Sequence, residues 1–128
     1  MNKEQAEHNE SVCQMLYSNG SCNDWVVTTA FYSAMHFVYS VLFPLTINGF
    51  IYQTFHLYHI SLPRQNRPNK HRLTLTLVET HRPEMYIQYR WLFDSSMNAR
   101  YRNYRVSQGL SDTAKSYLTW IKSKCYPT

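Results

Sequence analysis

Arg100-Tyr101-Arg102-Asn103-Tyr104-Arg105 alternates cations with rings. Guanidinium groups grip phosphate oxygens two at a time, and tyrosine rings stack on bases, so this run suits contact with a nucleic-acid strand. Arg and Tyr are equally favoured where proteins meet, so a protein partner competes for the same residues. Arg72 joins the set from the same basic half of the chain. His36 stands among apolar neighbours; it reads as a hydrogen-bonded core histidine and, as an imidazole that titrates near neutral pH, also as a catalytic candidate. No metal or cofactor chemistry is expected. His56 and His59 form an HxxH with no Cys or carboxylate beside it to complete a metal site, and Cys13, Cys22 and Cys125 match no zinc or redox spacing.

Charge is segregated along the chain. Residues 1–62 carry Lys3 against Glu4, Glu7, Glu10 and Asp24, a balance of −3. Residues 63–128 carry twelve Lys and Arg against four acids, a balance of +8, and all eight Arg lie in this half. Basic residues often do no more than solvate helix faces, but this segregation points to an anionic partner.

The 128 residues fit a single domain, 1–128. With 44% hydrophobic and 16% charged residues, extensive disorder is excluded. Only three Gly and five Pro argue against an all-β sandwich, which needs frequent turns. Eleven Tyr, six Phe and three Trp imply a ring-filled core, an aromatic contact surface, or both. Met1 to Glu10 is polar and acidic, unlike a secretory leader, and the thiols are expected to stay free in a reducing, cytoplasmic setting.

The elements that must position these residues read as helices. Residues 3–19 form one, with Val12, Met15 and Leu16 facing inward and Gly20 as its left-handed stop. Asn23 is expected to cap the next, which runs to Phe43 and ends at Pro44. No Asp, Glu, Lys or Arg occurs from Trp25 to Pro63. Polar Thr28, Thr29, Ser33, His36 and Ser40 interrupt the apolar run, so a helix buried on most sides is expected, not a membrane span. Residues 44–69 read as a connection with a short helix within Ile51–Ile60. Leu73, Leu75 and Leu77 alternate like a strand, but a lone strand has no partner, so 70–81 is assigned as helix. Pro83 opens a further helix reaching Tyr101, and Ser111 caps a last one carrying Ala114, Leu118 and Ile121. The expectation is an all-α, up-and-down bundle of four principal helices plus a short extra helix.

Two stretches carry a family likeness. Asp24-Trp25-Val26-Val27-Thr28-Thr29-Ala30-Phe31-Tyr32-Ser33-Ala34-Met35-His36 resembles the second-helix signature of HEPN domains (higher eukaryotes and prokaryotes nucleotide-binding). Tyr89, Leu92, Ser96, Ala99, Arg100 and Tyr101 match the Tyr-x-x-Leu-x-x-x-Ser-x-x-Ala-Arg-Tyr pattern of a bacterial HEPN-like subgroup. The resemblance covers roughly residues 10–122. It implies a helical bundle that commonly forms a homodimer. It also implies a superfamily containing ribonucleases of toxin and antiphage defence systems beside non-catalytic binders of RNA or nucleotides.

The superfamily's catalytic pattern is an Arg, four to six residues, then a His. Metal-independent RNA cleavage needs a proton acceptor or donor near neutral pH and a cation for the charge that builds on phosphate. Arg64 and His71, with six residues between them, meet the spacing. Gln65 stands where the family keeps Asn, Asp or His, and Pro68 interrupts the segment. Two functions are therefore carried forward. The first is a dimeric module binding RNA, a nucleotide or a protein through Arg72, Arg100, Tyr101, Arg102, Tyr104 and Arg105. The alternative is an endoribonuclease with Arg64 and His71 at a dimer interface, assisted by Arg100 or Arg102. Phe50, Tyr52, Phe55 and Tyr58, in a segment short of charges, are the expected surface for the second copy.

Overall fold

A computed structural model describes all 128 residues as six helices, one two-stranded hairpin and two single-turn 3-10 helices. In chain order they are α1 (Asn2–Asn19), α2 (Asn23–Leu42), β1 (Leu45–Ile47), β2 (Phe50–Tyr52), α3 (Phe55–Ser61), α4 (Lys70–His81), α5 (Tyr86–Tyr101) and α6 (Gln108–Cys125). The expected all-α bundle is what forms: α1, α2, α5 and α6 make its body, and α2 packs against the other three. The extra helices number two, since α3 and the longer α4 both lie outside that body.

The lack of charge in α2 sets this arrangement. Val26, Val27, Ala30, Phe31, Ala34, Phe37 and Val38 are all buried, at angles that leave the helix no wholly polar face. By length and hydropathy α2 also qualifies as a membrane span, yet 61% of that window is covered within the bundle. Its buried Ser33 donates to the Ala6 carbonyl at 2.7 Å, so the hydroxyl enters the core satisfied.

Gly20 ends α1 as expected, with φ 83° and its N–H on the Leu16 carbonyl. Three local expectations need correction. Met15 is 71% exposed, because it lies about 200° round the helix from the buried Cys13. Asn23 does not cap α2; its amide donates to the Val106 carbonyl at 3.1 Å and ties the loop after α5 to the start of α2. The cap of α6 is Ser107, which accepts from the Leu110 N–H, while Ser111 is buried inside the helix. Pro83 opens a 3-10 turn that leads into α5.

Residues 44–54 are not plain connection. Leu45 pairs with Tyr52, Thr46 with Ile51 and Ile47 with Phe50. Between them Asn48 (φ 52°) and Gly49 (φ 83°) both adopt the left-handed conformation of a two-residue hairpin turn. In α4 the helical reading holds: Leu73, Leu77 and Val78 share the inward face, and Asn69 caps the helix by accepting from the Arg72 N–H. Of the four rings expected on a dimer surface, Phe50 is exposed. Phe55 is buried against Tyr39, with ring centroids 4.6 Å apart, and Tyr52 packs on Tyr58.

Candidate functional site

Three helices bring one cation, one imidazole and one phenol together. Tyr32 projects from α2, His71 from the first turn of α4, and Arg100 from the last turn of α5. Arg100 donates through Nη1 to the Tyr32 hydroxyl at 2.7 Å and through Nε to the Ser96 carbonyl at 3.4 Å. Its guanidinium also lies over the rings of Tyr32 and Tyr101, 5.2 Å and 5.1 Å from their centroids. None of these partners is a carboxylate. The donors are partly satisfied while the positive charge stays uncancelled.

His71 sits between Phe31 and Phe93, its ring 5.5 Å and 5.3 Å from theirs. Burial disfavours the imidazolium and lowers its pKa below the usual 6.5, and the neighbouring Arg100 charge lowers it further. A neutral imidazole beside a cation is the result. Its Nδ1 is buried and has no hydrogen-bond partner. Beneath it, Tyr89 is fully enclosed, with its ring 5.7 Å from that of Phe31 and its hydroxyl unpartnered.

The other residues singled out in the sequence fall into three groups. Tyr101 and Arg102 line an open groove of about 510 Å³ with Phe93, Asp94, Met97 and Asn98. Arg72 lines an adjoining hollow of about 340 Å³ between α4 and α5. Tyr104, with Arg100, borders a smaller hollow on the opposite side of α5, and Arg105 lies over the Tyr104 ring at 5.7 Å. The run from Arg100 to Arg105 thus wraps the end of α5, with Tyr101 70% and Tyr104 66% exposed.

Arg64 and His71 are not joined. Arg64 is exposed on a 3-10 turn, with no hydrogen bond, ion pair or ring contact to His71. His36 bonds through Nδ1 to Asn2 at 3.1 Å and meets Tyr39 edge-on. It therefore serves the seam between α1 and α2, and its pKa is lowered by burial. Tyr32, Phe93, Asp24 and Trp25 also belong to this region, although the sequence marks the α2 three only as parts of the family-like stretch and none of the four as a site residue. Tyr32 and Arg100 lie 68 residues apart, and no local spacing announces that pairing. Nowhere do three His, Cys, Asp or Glu side chains converge as metal ligands would. Compared with protein-family models, with curated proteins and with solved structures, the chain matches none.

The lowered histidines set an acid dependence. The unfolded chain takes up protons below 6.5 before the folded one does, so stability is unaffected above that value and falls as the pH drops below it. In an NMR titration the His71 ring is expected to titrate below a free histidine. Arg100→Met should raise that midpoint part of the way, since burial remains. A midpoint unmoved by the substitution would show that the two groups do not feel each other.

Proposed function

We propose that this HEPN-like chain binds single-stranded RNA along the end of α5 and the loop that follows. The observation that carries the proposal is the alternation of exposed rings and exposed or half-exposed cations from Arg100 to Arg105, set at the mouths of two hollows. Arg102 and Arg105 meet phosphates, while Tyr101 and Tyr104 stack on bases. Asp94, the acid on this stretch of α5, also lines the groove, and Arg90 lies 3.6 Å from it in an exposed pair that offsets part of its charge.

A second reading, metal-independent cleavage of that RNA, pairs His71 with Arg100 in place of Arg64, because the Arg100 charge acts on that imidazole. In it the neutral imidazole takes the 2′-hydroxyl proton and the 2′-oxygen attacks phosphorus. The bond to the 5′-oxygen breaks, and that oxygen takes a proton from water as it leaves, while the His71 imidazolium returns its proton to solvent. Arg100 balances the charge on the phosphate. The module is proposed to act as a homodimer, its copies meeting at the uncharged surface where Phe50, Ile51, Leu57 and Ile60 stand exposed.

Filter binding of a short RNA over a salt series tests the first reading. Arg102→Gln and Arg105→Gln should each weaken binding and flatten the logarithmic salt slope by about 0.7. Tyr101→Ala should cost about 1–3 kcal/mol of affinity. Unchanged slopes would assign the run a structural role. Incubated with a chelator, the wild type should leave 2′,3′-cyclic phosphate ends if it cleaves, and His71→Ala should then be slower by roughly 10²–10⁴. A wild type inert toward varied RNAs leaves binding alone. Light scattering at micromolar concentration should return twice the chain mass, and a monomer would remove the dimer.

A further inference from the structure

The smaller hollow beside Arg100 has a feature that general RNA binding does not use. It measures about 160 Å³ and lies between the first turn of α2 and the end of α5, lined by Asp24, Trp25, Thr28, Ala99, Arg100 and Tyr104. Pockets that enclose drug-sized ligands run to about 300–1,000 Å³, so this one suits a single ring system. Trp25, 54% exposed at the start of an otherwise buried helix, and the exposed Tyr104 ring stand on its border. The Asp24 carboxylate makes no hydrogen bond and no ion pair, although Arg100 lines the same hollow. Arg100 is committed elsewhere: its Nη1 reaches Tyr32 and its Nη2 lies 3.3 Å from the Met97 sulfur.

We infer that this hollow receives one base of the bound strand and that Asp24 selects guanine. The inference rests on the RNA-binding reading and names the specificity of that same surface. A carboxylate only accepts hydrogen bonds. Along its Watson–Crick edge guanine presents two adjacent donors, N1–H and the N2 amino group, which match the two carboxylate oxygens. Uracil flanks its single donor with two carbonyl oxygens, and adenine and cytosine each set a ring-nitrogen acceptor beside the amino group. All three turn lone pairs toward the carboxylate. Base edges of unpaired strands are read in this way, with an aromatic ring against the base face, and Trp25 and Tyr104 supply the rings. The wall is held before the ligand arrives, because the Asn23 amide clips the Val106 carbonyl to the first turn of α2.

Fluorescence anisotropy with labelled oligouridine strands carrying one central guanosine, inosine, adenosine or uridine tests this. Wild type should bind the guanosine strand on the order of tenfold more tightly than the all-uridine strand, the discrimination a good bidentate contact provides. Inosine, which lacks the N2 amino group, should fall between. Asp24→Asn, isosteric and able to accept through one oxygen only, should erase the guanosine preference, read as the ratio of guanosine-strand to all-uridine affinity, because the lost negative charge strengthens binding of every strand alike. Backbone circular dichroism confirms that the variant is folded. Equal binding of all four strands, or a preference that survives Asp24→Asn, overturns the guanine assignment while RNA binding stands. Binding of no strand overturns both.

Discussion

Everything in this molecule is arranged around a helix that carries no charge after its first turn. The side chains of α2 cannot be left in water over most of their circumference, so α1, α5 and α6 each present an apolar stripe to it. That demand orders the chain more strongly than any single bond does. It also limits where function can sit, because α2 is open to solvent and ligands only where the covering helices end or diverge. Trp25 and Tyr32 lie at such places, and the Arg100 turn of α5 stands beside both.

The second constraint is electrostatic. A basic half must pack onto a weakly acidic one without burying bare cations. Arg67 directs its guanidinium to the Leu62 and Ile60 carbonyls, and Lys122 meets Glu10 at 2.9 Å. Arg100 is treated differently, since a hydroxyl, a carbonyl and two rings hold it without neutralising it. A guanidinium held in that manner keeps its field, and the same field helps keep the adjacent imidazole uncharged. Orientation without neutralisation is the feature on which the proposed role of Arg100 toward an anionic ligand rests.

Much of this was legible in the residues. The charge-free run from Trp25 foretold the buried helix, Gly20 foretold the stop before it, and the wish for a partner strand rightly kept 70–81 helical. The hairpin is also written in the residues, as Asn48-Gly49 between Ile47 and Phe50, but its strands are only three residues each, too short to show an alternating pattern against the apolar run around them. Ser107 was overlooked as a cap because the apolar spacing of Ala114, Leu118 and Ile121 does not extend back to it. The site was harder for a physical reason. Spacing along the chain reports neighbours only within one element. Arg64 met a numerical rule yet sits on an exposed turn, whereas Arg100, 29 residues beyond His71 in sequence, comes close enough through the packing of α5 beside α4 for its charge to act on that imidazole.

The loop between α5 and α6 is stiffer than its exposure suggests. At one end the N–H groups of Arg102 and Asn103 both return to the Asn98 carbonyl, at 3.0 and 2.9 Å, and in the middle the Arg105 N–H reaches the Asn103 side chain. At the other end Asn23 holds Val106 and Ser107 closes the first turn of α6. Each of these bonds fixes backbone, so the freedom they leave is chiefly that of the exposed side chains. On the RNA-binding reading proposed above, a strand would meet a rail already in its working shape. The entropy lost on docking would then fall on a few arginine and tyrosine rotamers instead of on a folding loop, which makes fast association with affinity set by dissociation the expected kinetic form of that proposal.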